Sequence, residues 1–153
     1  MPRLENGQSF PSLQVPQVGG TTLSLPEGLA GSFGVVLVYR GAWCPYCNAQ
    51  LSAFQRASAS LEAAGVKVVA LSVDDEQTSA ALVDKLRLSF PVGHSADADQ
   101  VAAEHGCYVN DEPHYLQSTG FVLAPDGTVV TGAIGRLTPE DVVGLVTYLE
   151  DHA

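Results

Sequence analysis

Gly34-Val35-Val36-Leu37-Val38-Tyr39-Arg40-Gly41-Ala42-Trp43-Cys44-Pro45-Tyr46-Cys47 is the stretch on which the fold turns. Its opening is a continuous β-branched run, which is how a strand buried on both faces reads. Pro45 suits the first position of a helix, where a missing N–H costs nothing. Apolar residues then recur at Leu51, Phe54, Leu61 and Ala64, with Ala57 between them, and Gly65 offers a left-handed stop. The expectation is a buried strand leading into one helix over residues 45–64, with Cys44 near its N-cap and exposed there.

Outward from this unit, Val66 to Val73 reads as a second buried strand. Asp74 or Asp75 can cap a helix carrying Leu82, Val83 and Leu86; Asp74-Asp75-Glu76 also lies at the carboxyl end of the second strand, where α/β sites tend to form, but reads more simply as helix capping. A short helix is expected over 97–105, ending at Gly106. Phe121–Ala124 and Thr128–Val130 flank Asp126-Gly127, the strongest short hairpin signal in the chain. Thr138-Pro139-Glu140-Asp141 opens a last helix with a Thr cap, Pro at the first position and acid in the first turn. Upstream, Leu13–Val15 and Thr22–Leu25 alternate as strands of a hairpin turning near Gly19-Gly20. The order is hairpin, βαβα, connector, ββα. Early strands that alternate with helices are parallel through right-handed crossovers, and the late pair adds antiparallel strands. The fold class is therefore α/β, with a mixed central sheet, helices on both faces and an N-terminal β-hairpin. Residues 1–153 read as one domain.

The chain is 46% hydrophobic, which suits an ordinary core. Seven basic side chains against 17 acidic ones give a net charge of −10. Such a surface repels phosphate backbones, so nucleic acids and anionic membranes are poor partners. The longest apolar run, Phe33 to Tyr39, is far short of a bilayer span. No secretory signal is visible at the amino end, so a cytoplasmic, reducing compartment is the default.

Three cysteines are too few for a disulfide scaffold. Cys44 and Cys47 form C-x-x-C at a strand-to-helix junction, a combination that points to thiol redox chemistry. A cysteine at a helix N-terminus faces unpaired N–H groups and the positive end of the helix dipole, and both favour the thiolate. Cys44 can then attack, and Cys47, one turn on, can resolve the mixed disulfide. A zinc site would need a second ligand pair; Cys107, His105 and His114 lack the usual spacing for one. Two buried structural cysteines are the plain alternative. Cys107 reads as a spare, partly buried thiol, and His114 as part of a loop that approaches the motif end. Arg40, at the end of the buried strand, could stabilise a thiolate by charge; otherwise it is a solvated or ion-paired strand end.

Arg40 through Cys47 resembles the active site of the thioredoxin superfamily, where Trp-Cys-x-x-Cys opens the first long helix. Gly7-x-x-x-Pro11-x-Leu13 and Phe121-Val122-Leu123-Ala124-Pro125-Asp126-Gly127 are similar to segments of the redoxin, or AhpC/TSA, peroxiredoxin-like family. The resemblance covers nearly the whole chain and implies a thioredoxin-like fold. It also shows departures. The typical peroxiredoxin motif Pro-x-x-x-Thr-x-x-Cys would place its peroxide-attacking cysteine at Cys47, its Thr at Cys44 and its Pro at Arg40. The family's downstream Arg would fall near Gln117 or Ser118. Thioredoxin's buried Asp would fall at Val38 and its cis-Pro at Ser118; Pro113 has the wrong offset. Cys-Pro-Tyr-Cys is also the glutaredoxin motif, but this acidic chain lacks the basic residues with which glutaredoxins grip glutathione.

The resemblance implies a thiol-based oxidoreductase with catalytic Cys44 and Cys47. Arg40, Trp43, Pro45, Tyr46 and Ser118 would support them, and Trp43 would form part of an apolar docking surface. The leading expectation is a thiol–disulfide oxidoreductase. The first alternative is a thiol peroxidase acting on hydrogen peroxide or alkyl hydroperoxides. The second is a redox-responsive binding module without turnover. None of these calls for a metal or organic cofactor. A disulfide or peroxide would be the substrate, and thioredoxin or a glutathione system the reducing partner. Redoxin relatives often pair, so a homodimer is also expected.

Overall fold

The computed structural model describes residues 4–112, 114–134 and 137–152. The N-terminal hairpin is formed by β1 (Leu13–Pro16) and β2 (Thr22–Leu25), antiparallel, with Leu13 opposite Leu25 and Val15 opposite Leu23. The expected buried run forms β3 (Phe33–Val38), and the motif follows it into α1 (Pro45–Arg56). The helix expected over 45–64 is in fact two helices. At Ala57 the backbone relaxes to φ −90°, ψ 10°, and α2 (Ser58–Ala63) begins. Ser58 and Ser60 are weak interior helix formers, so this segment tolerates the bend. Leu61 stays in phase with Phe54, and both are buried.

The next strand, β4 (Val66–Leu71), ends before the expected Val73. Ser72 leaves the ladder, and its carbonyl accepts from Ala96 N–H. There follow α3 (Glu76–Leu86), β5 (Val92–Gly93) and α4 (Ala98–His105), the last capped by Asp97 and stopped at left-handed Gly106. A two-residue ladder that the periodicity did not reveal joins β6 (Val109–Asn110) to β7 (Tyr115–Leu116). The chain ends with β8 (Thr119–Leu123), β9 (Val129–Ile134) and α5 (Pro139–Asp151). The Asp-Gly turn between β8 and β9 is closed by Ala124 N–H to Thr128 O, and Asp126 accepts from Thr128 N–H at 3.0 Å. Gly127 sits at φ +87°, a backbone state that glycine adopts without strain.

The central sheet has the order β5-β4-β3-β8-β9. β3, β4 and β5 are parallel, whereas β8 and β9 run antiparallel, as the mixed-sheet expectation requires. Alternation along β3 divides the core. Val36 and Val38 face the hairpin, Phe10, Val101 and Cys107. Val35, Leu37 and Tyr39 face Leu51 and Phe54 of α1, Leu82 of α3, and Val142 and Val146 of α5. Helices cover both faces, and Cys107, in the connection after α4, packs on the face opposite the C-x-x-C. No helix among the described residues is long and apolar enough to cross a membrane.

Candidate functional site

Chain geometry places the motif at the carboxyl end of β3, where α/β sheets leave room for a site. Cys44 is the N-cap of α1, in extended backbone, and Cys47 N–H donates to its Sγ at 3.2 Å. Pro45 occupies the first helical turn. Cys44 is 2% exposed, not open to solvent as the sequence suggested. The reason is the cap itself: the sulfur folds back over the helix end, and Trp43, Pro45 and Tyr46 project outward around it. None of the three cysteines is in a disulfide.

Cys47 is fully buried, and burial pushes its thiol up from the ordinary range. The hydrogen bond and charge of Cys44 act in the same direction. Ser118 Oγ, 3.5 Å from Cys47 Sγ, and the backbone N–H of Arg40 pull the other way. Ser118 thus faces the buried sulfur from the turn before β8, in the place where the resemblance set a cis-Pro. Pro113 lies outside the described residues. The Arg40 side chain is half-buried, and its Nε is buried without a hydrogen-bond partner. The ion pairs among the described residues, His94–Glu76 and His114–Asp99, do not involve it. His114 is therefore held by Asp99 at 3.3 Å.

Trp43 is 57% exposed and Tyr46 38% exposed, the outer rim of the motif. Trp43 meets Tyr115 of β7 edge to face, at 5.1 Å between ring centroids. Tyr115 gave no signal in the sequence because its two-residue strand is too short to show periodicity. Gly41 lets the indole fold over the chain: a Cβ there would collide with Trp43 Nε1, lie 2.7 Å from its Cδ1 and 3.1 Å from Asp74 Oδ1. Shallow grooves flank the motif on both sides. One runs from Ala42 along Gln77, Ala81 and Lys85, the other from Tyr46 past Ala49, Ala53 and Leu137.

The acidic run after β4 divides its work in a way the capping expectation did not foresee. Asp75 caps α3, accepting from Thr78 N–H at 2.8 Å. Asp74 does not cap. Its Oδ2 accepts from Ala42 N–H at 2.8 Å, across 32 residues of sequence. Burial pushes the Asp74 carboxyl up, the Ala42 N–H draws it down, and the Asp75 charge raises it. Asn48, from α1, donates to the Ala42 carbonyl at 3.1 Å. The Asp74 contact depends on where β4 ends, whereas the Asn48 contact is local to α1 and the turn before it.

The AhpC/TSA family model matches residues 6–131. The chain belongs to the AhpC/TSA family. Among its relatives is a peroxiredoxin of Treponema denticola, 29% identical over 129 residues, or 80% of this chain; the chain spans only 61% of that protein's length. The thiol-disulfide oxidoreductase ResA of Bacillus thuringiensis is 27% identical over 143 residues, covering 93% of this chain and 77% of that one. In solved structures, peroxidoxin BcpB from Mycobacterium tuberculosis superposes with a TM-score of 0.86 at 18% identity, over 96% of this chain and 99% of that one. That likeness establishes the thioredoxin-like fold. This AhpC/TSA chain is a thiol-based oxidoreductase, the class its relatives share.

Proposed function

We propose that this protein is a thiol–disulfide oxidoreductase in which Cys44 attacks and Cys47 resolves. One observation carries the reading: Cys44 Sγ accepts a hydrogen bond from Cys47 N–H at the amino end of α1. Negative charge on that sulfur is met by an N–H donor and by the positive end of the helix. Cys47 is the more deeply held thiol, and burial favours its protonated form. A thiol of that kind suits the second step better than the first.

The Cys44 thiolate attacks one sulfur of a substrate disulfide, and the other sulfur leaves as a thiolate. Cys47 then loses its proton and attacks Cys44 Sγ, expelling the remaining substrate thiolate. The substrate gains two electrons and the protein ends as a Cys44–Cys47 disulfide, which a reducing dithiol partner in a reducing compartment returns to the thiols. Because Cys44 is buried while its neighbours Trp43, Pro45 and Tyr46 are exposed, substrate entry requires local movement of the motif. The ResA relatives support this reading.

The peroxiredoxin relatives favour a second reading, in which a thiolate attacks peroxide, takes one oxygen as a sulfenic acid and expels the other as water or an alcohol, then condenses with the other cysteine to a disulfide, releasing a second molecule of water. Typical family spacing assigns that attack to Cys47, which here is the thiol that burial holds protonated. Stopped-flow oxidation of the reduced protein, followed by Trp43 fluorescence, separates the readings. The proposal expects fast reaction with a small disulfide and a peroxide rate no better than a free thiol's. Cys47→Ser should then accumulate a mixed disulfide on Cys44, visible by mass spectrometry. Fast peroxide oxidation that yields the Cys44–Cys47 disulfide would make the protein a peroxidase. Free-thiol rates with both oxidants would leave a redox-responsive binding module.

A further inference from the structure

The loop between β3 and α1 is a turn closed by Cys44 N–H to Gly41 O at 3.1 Å. Within that turn the Ala42 peptide is held at both ends, its N–H by Asp74 Oδ2 and its carbonyl by Asn48 Nδ2. Asn48 belongs to the helix that Cys44 caps, so its bond ties the turn to α1 alone. Asp74 ties the turn to the sheet. It is itself fixed: its N–H donates to Ser72 Oγ at 3.2 Å, and its carbonyl accepts from Ser95 N–H at 2.6 Å. A part-buried N–H such as that of Ala42 could be satisfied by solvent, so an acceptor brought in from the connection between β4 and α3 is more than the donor requires. What Asp74 adds is a fixed hydrogen-bond acceptor on a rigid anchor, two residues before the reactive sulfur. The distance over which a thiolate feels one N–H donor is short, and a small displacement of Cys44 would forfeit the Cys47 N–H.

We propose that Asp74 is a positioning residue of the dithiol site, holding Cys44 at the amino end of α1 through the Ala42 peptide. This rests on the reading of Cys44 as the attacking thiol. Asp74 hydrogen-bonds to neither sulfur, so its effect passes through the turn. Asp74 Oδ1 and the Trp43 indole both approach the side of Gly41 where a Cβ would stand.

The test uses the full chain carrying Cys47→Ser and Cys107→Ser, which leaves Cys44 as the single thiol and keeps the residue 47 N–H. Iodoacetamide alkylation is followed from pH 5 to pH 9 by mass spectrometry. Adding Asp74→Ala should cut the rate at pH 7 roughly three- to tenfold, as loss of one hydrogen-bond acceptor in the turn implies, and move the profile to higher pH. Asp74→Asn retains a carbonyl acceptor and should restore the profile to within about twofold. A role confined to fold stability would lower the melting temperature of Asp74→Ala and leave the alkylation profile in place, which overturns the proposal. Faster alkylation in Asp74→Ala, or equal impairment in Asp74→Asn, also overturns it, because charge and not the hydrogen bond would then be acting. If Asp74→Ala fails to fold, Asp74→Ser, too short to reach Ala42, is read in the same way. A parent protein alkylated no faster than a free thiol would instead sink the assignment of Cys44 as nucleophile, and this proposal with it.

Discussion

At the scale of single residues, the two sulfurs of the motif differ in what surrounds them. Cys44 has a backbone N–H donor at a helix end, and Cys47 has burial, partly offset by Ser118 and the Arg40 N–H. Ser118 is therefore the side chain best placed to ease ionisation of the resolving thiol. Ser118→Ala removes that neighbour and leaves desolvation in place, so the Cys47 thiol is pushed further up. Collapse of a preformed mixed disulfide on Cys44 should slow roughly two- to tenfold at pH 7, the equivalent of about 0.5–1.5 kcal/mol for one net hydrogen bond. The loss should shrink as the pH rises, which a quench-flow series from pH 6 to pH 9 would reveal. An unchanged pH profile would mean that Ser118 only fills space. The cysteines and Pro45 were legible in the sequence, because spacing along one helix places them, and Ser118 was legible because the family resemblance aligned it with a position facing the motif. The contacts of Asp74 and Tyr115 with the motif were not, because each crosses a tertiary distance that no local pattern encodes, and Asn48, inside the motif helix, carries no pattern of its own.

Secondary elements hold this arrangement from below. Buried Cys47, Gln50, Leu51 and Phe54 set α1 on the sheet, and Gln50 Nε2 donates to Leu137 O at 3.0 Å, joining α1 to the residue before the α5 cap. The α5 start is a complete capping box: Thr138 Oγ1 accepts from Asp141 N–H at 3.1 Å, and Asp141 Oδ2 accepts from Thr138 N–H at 3.3 Å. This was readable from Thr138-Pro139-Glu140-Asp141, since capping chemistry is local. The bend at Ala57 was not readable, since it arises from two helical segments each seeking its own partner on the sheet. Thr138→Ala should lower unfolding free energy by about 1 kcal/mol, the usual worth of such a cap. Urea unfolding would measure it, with Cys44 alkylation unaffected at the same time. A change below a few tenths of a kcal/mol would mean that the α5 face alone fixes the helix start.

Over the whole molecule, the sheet separates a redox face from a second core that holds a buried titrating group. His105 closes α4 on that second face, 1% exposed, with Nε2 2.9 Å from Pro11 O and its ring 4.6 Å from that of Phe10. Phe10 in turn meets Phe121 of β8 edge to face at 5.4 Å, so the histidine joins the N-terminal segment to the central sheet. The sheet and its crossovers could be read from buried apolar runs, but this tie could not, because a lone histidine carries no pattern. The bond to a carbonyl requires Nε2 to carry the proton, which the neutral ring provides. Burial lowers the His105 pKa from its ordinary 6.5, ahead of the opposing pull of the Pro11 carbonyl and Glu104. The sign follows from linkage: as the pH falls below about 6.5 the unfolded chain takes up a proton that the folded chain resists, so stability falls with it. Carboxylates titrate lower, near pH 4, which leaves the interval from about pH 6.5 to pH 5 to the histidines. His94, His114 and His152 are common to the parent and a His105 variant, so a subtraction isolates the buried His105 ring. Urea unfolding at pH 7.5, 6.5, 5.5 and 5.0 should give a stability that declines over this interval in the parent and declines less in His105→Gln, which keeps a side-chain donor without a titrating ring. Equal slopes in the two proteins would show that His105 is protonated in the folded state without cost, and that the N-terminal segment is held by the Phe10 ring contacts alone.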